Sequence, residues 1–171
     1  MNKNEQPISN VQWVDVSKLS ANDYNPNVVL NEEMKLLLFS IRKSGWIQPI
    51  LVTQDYCIID GFHRATLAKT HDDITIDGCV PVVVMPLTEP ERMMLTIRIN
   101  RAKGTHVAIK MSEIIHALVH EHGVPIEAIC KGIGATKKEV ELLLLDNVFQ
   151  KKGITEESEY SKAWKPVILK K

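Results

Sequence analysis

Apolar and polar positions alternate in two different periods along this chain. Trp13, Val14 and Val16 mark a brief first strand after a polar arm, Met1 to Val11. Turn signals follow between Ser20 and Asn27. Leu36, Leu37, Phe39 and Ile41 then form the apolar side of a helix. Asn31 stands as its N-cap, Glu32 and Glu33 fill its first turn, and Arg42, Lys43 and Gly45 suit its end. The β-rich run Pro49 to Thr53, a short turn at Gln54 to Tyr56, and Cys57 to Asp60 predict a hairpin. Phe62 to Lys69 has helical spacing, Thr70 to Cys79 is polar and loop-like, and Pro81 to Met85 is a β-branched strand.

From Pro90 onward the period is helical. One helix runs from Pro90 to about Arg101 and breaks at Asn100 to His106. Met111, Ile114, Ile115, Leu118 and Val119 form the stripe of the next, which ends near Gly123. Pro125 to Lys131 is a short helix, Gly132 to Ala135 a tight turn, and Thr136 caps a last helix toward Asp146 and Val148. The tail from Gly153 is polar and acidic, and it closes on Trp164 to Leu169. The pattern predicts an α+β part over 11–105, an all-helical part over 106–150 and a tail over 151–171.

Composition narrows the function. The 171 residues are 44% hydrophobic but 5% aromatic, so the core is expected to be aliphatic. The formal net charge is +0, which argues against gripping nucleic acid by bulk charge and leaves a local basic patch open. Cys57, Cys79 and Cys130 are far apart, without a CxxC pair, as in a reducing compartment. The absence of a signal-like or membrane-length apolar run predicts a cytoplasmic protein with no membrane partner.

The chemistry concentrates where the hairpin hands over to a helix. A strand–Gly–helix junction offers free backbone N–H groups at a helix start, which attracts anions. Asp60, His63 and Arg64 sit there. Alone, Asp60-Gly61 also reads as a tight turn with a capping aspartate. The Gly132 to Lys137 run lacks the spacing and preceding strand of a phosphate loop. His116 and His120 are four apart, with His122 nearby, but this spacing is also that of solvated helix histidines.

An ordered set of motifs resembles the ParB/sulfiredoxin superfamily. Lys43 to Val52 is similar to the ParB segment ending in Gly-hydrophobic-Gln-Pro-hydrophobic. Asp60 to Ala68 is similar to its Gly-x-x-Arg-x-x-x-Ala box. Asn100-Arg101 falls at the place of its third motif, and Met111 to Phe149 resembles the helix-turn-helix that follows. Asn100 to His106 resembles short, prophage-associated ParB-like proteins of the IbrB type. The resemblance implies an α+β fold, a ParB/sulfiredoxin-like mixed sheet with helices, followed by a small all-α helix-turn-helix-like domain. It implies a DNA-associated regulator that binds CTP or ATP with Mg²⁺ and hydrolyses it slowly.

On that resemblance Gln48, Gly61, His63, Arg64, Asn100, Arg101 and Lys103 are expected to contact nucleotide. Asp60 and His63 are the candidate catalytic groups, and Asp60 is the Mg²⁺ partner. Lys131, Lys137 and Lys138 are expected to meet DNA, although Glu139, Glu141 and Leu142 make the rest of that helix a poor DNA surface; plain helix packing is the alternative. Phe62 stands where sulfiredoxins carry cysteine, so sulfur chemistry is not expected. The box is also similar to that of free-serine kinases, which implies a small-molecule kinase as the second alternative; those kinases draw on an N-terminal glutamate, for which Glu32 and Glu33 are the candidates. A nuclease is a third alternative. A homodimer or a partner protein docking through the C-terminal tail completes the expected partners.

Overall fold

The computed structural model describes residues 2–21, 31–102 and 108–145. The Ser20 to Asn27 turns are in part outside these residues. Lys103, the remainder of the loop to His106, and the tail from Asp146, including Val148 and Trp164 to Leu169, are wholly outside them.

The polar arm is less loose than its composition suggests. Two 3-10 turns, Lys3–Glu5 and Pro7–Asn10, lead into β1 (Val11–Asp15). Next come α1 (Asn31–Ser44), β2 (Ile50–Val52), β3 (Ile58–Asp60), α2 (Phe62–Thr70) and β4 (Cys79–Val84). The four strands form one mixed sheet in the order β1-β4-β2-β3. β2 and β3 are the expected antiparallel hairpin, while β4 runs parallel to β2 and antiparallel to β1.

Strand β4 begins two residues earlier than its sequence suggests and carries Pro81 inside it. Proline lacks a ladder donor and normally stays at sheet edges. Here Pro81 lies opposite Trp13 of β1, and the ladder to β2 starts only at Val82 opposite Ile50. The missing N–H therefore falls where β4 has a neighbour on one side only.

Ile50, Val52, Val80 and Val82 are fully buried, with Ile41 of α1 and Ala65 and Ala68 of α2 packed among them. Burying each such side chain contributes about 1.5–3 kcal/mol. A second aliphatic cluster is built by α3 (Glu89–Ala102), α4 (Ala108–His120), α5 (Ile126–Ile133) and α6 (Lys137–Leu143). Met93 and Ile97 of α3 belong to it, together with Ile115, Leu118, Ile129 and Val140. Gly132 continues α5 instead of opening the turn, which is left to Gly134 at φ +68°. The cause is tertiary: a Cβ at Gly132 would lie 2.6 Å from Sδ of Met94, so α5 is pressed onto α3 there. The last helix ends at Leu143, short of Asp146, with Leu144 as its C-cap.

Among the described residues no helix is long and apolar enough to cross a membrane.

Candidate nucleotide site and helix-turn-helix

The junction between β3 and α2 is shaped by one glycine. Gly61 has φ +94°, a left-handed conformation that disfavours any side chain, and it is the N-cap of α2 without a side-chain cap. A Cβ there would lie 2.8 Å from Nη2 and 3.2 Å from Nε of Arg64, and 3.3 Å from the Ile50 Cα. The guanidinium thus lies tightly against the turn, in space that only glycine leaves.

Arg64 is mostly buried. It donates from Nη1 to Oε1 of Gln48 at 2.6 Å and from Nη2 to Oδ2 of Asp60 at 3.5 Å. Its Nε is buried and has no hydrogen-bond partner among the described residues. Burial draws the guanidinium pKa below its usual value, and the Asp60 carboxylate partly opposes that shift. Gln48 reaches Arg64 because its loop is pinned behind it. Trp46 Nε1 donates to the Ile74 carbonyl at 2.6 Å, and Pro49 leads directly into β2. Trp46 lay within the resembling motif, but its anchoring partner is 28 residues away.

The other expected residues are distributed around this core. His63 is exposed on the first turn of α2, its ring edge-on to Phe62 at 6.2 Å between centroids. Asn100 is half-buried in the last turn of α3. Arg101 turns toward the helical part, where Nη1 donates to Oε1 of Glu139 and Nη2 to the Gly134 carbonyl at 3.4 Å. Lys103 lies outside the described residues. Glu32 and Glu33 are exposed on the first turn of α1, and Glu32 pairs with Lys35 at 2.7 Å.

Arg92 had no role in the sequence reading. It is buried on α3 and donates to the Cys57 sulfur at 2.7 Å and to Oε1 of Glu89 at 2.9 Å. This fixes α3 to the residue that precedes β3. Its neighbours Met93, Thr96 and Ile97 are also buried, so an arginine in a buried helix phase was the available signal.

Helices α5 and α6 enclose the turn Gly134–Thr136. The Thr136 hydroxyl accepts from the Glu139 N–H at 3.2 Å, the N-cap that its sequence announces. Lys131, Lys137 and Lys138 are all exposed. Lys137 lies 3.6 Å from Glu127 and 4.0 Å from Glu141. The rings of His116 and His120 lie 5.5 Å apart between centroids and are tilted by 32°, and no group of three or more metal-ligating side chains occurs among the described residues.

A left-handed glycine at the start of α2, with no side-chain cap and a buried guanidinium against it, is the geometry in which a helix N-terminus can meet an anion. Residues 1–101 match the ParB N-terminal domain model. The chain is 39% identical over 166 residues to YbdM of Escherichia coli (strain K12), an uncharacterized protein, covering 94% of this chain and 78% of that one. It therefore belongs to the ParB N-terminal domain family, within the ParB/sulfiredoxin superfamily.

Solved structures carry the same fold. A Pnob8-like ParB-N domain aligns with a TM-score of 0.57 at 12% identity, covering 86% of this chain and 74% of that one. The chromosome-partitioning protein ParB from Caulobacter crescentus, in a C-terminally truncated form complexed to the centromeric parS site, aligns with a TM-score of 0.52 at 20% identity. That alignment covers 83% of this chain and 78% of that one.

Proposed function

We propose that this chain is a nucleotide-dependent, DNA-associated regulator of ParB type that binds a nucleoside triphosphate, CTP or ATP, at the β3–α2 junction. The observation that carries the reading is the buried, unpartnered Arg64 Nε beside the uncapped start of α2. A buried donor left unsatisfied costs about 1–3 kcal/mol. An anion at this helix start would offset that cost if it also met the guanidinium.

In this reading the backbone donors after Gly61 and the Arg64 guanidinium hold phosphate oxygens. Gln48 fixes the plane of Arg64, and His63 and Asn100 contribute polar contacts at the rim. Asp60 is a single carboxylate, so a Mg²⁺ ion there would be shared with phosphate oxygens, as Mg²⁺ commonly is. The bound ion would neutralise phosphate charge, and Asp60 is also the group placed to accept a proton if the nucleotide is slowly hydrolysed.

The DNA half of the reading places α5 and α6 against a duplex, with Lys131, Lys137 and Lys138 toward phosphates. It is supported by the Thr136-capped α6 and by the parS complex of a ParB protein with the same fold. The two aliphatic clusters support a nucleotide part and a helical part, with α3, which lies inside the expected 11–105, packing into the second cluster. Calorimetric titration with CTP, ATP and ADP, each with Mg²⁺, tests the nucleotide half. Binding of at least one triphosphate is expected, and no heat from any of the three would overturn it.

A further inference from the structure

The acidic residue that makes α6 look like a poor DNA surface does not face outward alone. Glu139 receives the Arg101 guanidinium, and the same guanidinium reaches the Gly134 carbonyl in the turn between α5 and α6. One arginine thus grips both sides of Thr136, the N-cap of α6. Meanwhile the N–H of Glu139 is held by the Thr136 hydroxyl. The first turn of α6, which carries Lys137 and Lys138, is fixed by its own cap and by a side chain from another helix.

That other helix is itself anchored. Arg92, nine residues before Arg101 on α3, is tied to Cys57, and Met94 is pressed against Gly132 of α5. At about 1.5 Å per residue, α3 spans roughly 13 Å between the two arginines. It runs from the strand that leads to Asp60 to the turn that leads to Lys137.

We infer that Arg101 is a positioning residue for the DNA-facing helix, acting through Glu139 and the Gly134 carbonyl, and not a phosphate contact of the nucleotide site. This rests on the DNA half of the proposed function. A forked guanidinium committed to a carboxylate and a carbonyl sets the orientation of α6 as a single lysine could not. With Glu139 paired to Arg101, the negative charge beside Lys138 is compensated from inside the molecule.

The test is a double-mutant cycle on full-length protein: Arg101→Ala, Glu139→Ala and the pair, each titrated with a mixed-sequence DNA duplex. Removing a bare surface carboxylate would strengthen binding to DNA. The positioning role predicts the opposite: Glu139→Ala weakens binding about fivefold to tenfold, and Arg101→Ala costs less in the Glu139→Ala background than it does alone. Tighter binding by Glu139→Ala, or additive losses, would overturn the inference.

Amide hydrogen exchange separates this failure from failure of the DNA reading. Both single variants are expected to exchange faster at Glu139 and Val140 while the β2–β3 hairpin stays protected. If wild-type protein binds no duplex, the DNA reading fails while faster exchange still upholds the positioning contact. Unchanged exchange in both variants overturns the contact itself. CTP and ATP titrations of Glu139→Ala should match wild type, whereas a tenfold loss of nucleotide affinity confined to Arg101→Ala would return Arg101 to the nucleotide site.

Discussion

Arg64 and Gln48 are sixteen residues apart in sequence and joined at 2.6 Å, from Nη1 to Oε1. This bond brings the Gln-Pro loop and the Asp-Gly turn to one point. It also adds a second task for Gln48 beside the direct base or phosphate contact expected of it. The amide oxygen is occupied by the arginine and so orients the guanidinium.

Gln48→Ala should therefore weaken nucleotide binding without abolishing it. A hydrogen bond to a charged group contributes about 1.5–3 kcal/mol, which sets an upper range of roughly tenfold to a hundredfold in affinity. Calorimetry on the variant checks this. An unchanged affinity would mean that Arg64 keeps its place without Gln48.

Two glycines should differ sharply in their response to alanine. Gly61→Ala meets a left-handed φ, a packed guanidinium and the Ile50 backbone, and should cost about 1–3 kcal/mol of stability. Gly132→Ala meets the flexible thioether of Met94 in a helix, where alanine gains about 1 kcal/mol in propensity. Urea denaturation should show a clear loss for the first and a change near zero for the second.

Acid should destabilise the fold through carboxylates held by local partners. The Arg42 hydrogen bond holds the Asp73 carboxyl below its usual pKa, and the Ser17 hydroxyl and N–H do the same for Asp15. A depressed folded pKa means that the stabilisation is complete above the unfolded value, about 4, and is lost as pH falls through the folded one. Melting temperature should fall below about pH 4, and Asp73→Asn should lessen that slope.

Much of this was readable locally. The Gly45 end of α1, the hairpin, the Gly61 turn and the Thr136 cap all follow from residues adjacent in sequence. Pro81 and Gly132 misled because their surroundings override local rules: one lies where the β2 ladder has not begun, the other where Met94 presses on α5. The partners of Arg64, Arg92 and Arg101 were not readable in detail. Two of these links cross 35 and 38 residues, and an arginine's spacing does not reveal which acceptor it will meet.

DNA binding, if it runs through exposed lysines on α6, should be strongly salt-dependent. Lys138→Ala should lower affinity about evenly across duplex sequences and reduce the salt slope by about one counterion. Fluorescence anisotropy at several salt concentrations measures both. A sequence-selective loss would point instead to a base contact.

The most direct test of the central claim is the affinity of CTP and ATP for wild type, Arg64→Ala and Arg64→Lys, with melting curves to confirm that each variant is folded. The account predicts triphosphate binding by wild type and its loss in Arg64→Ala. It also predicts poor recovery in Arg64→Lys, because lysine carries the charge without the fork. Wild-type affinity in a folded Arg64→Ala protein would contradict it.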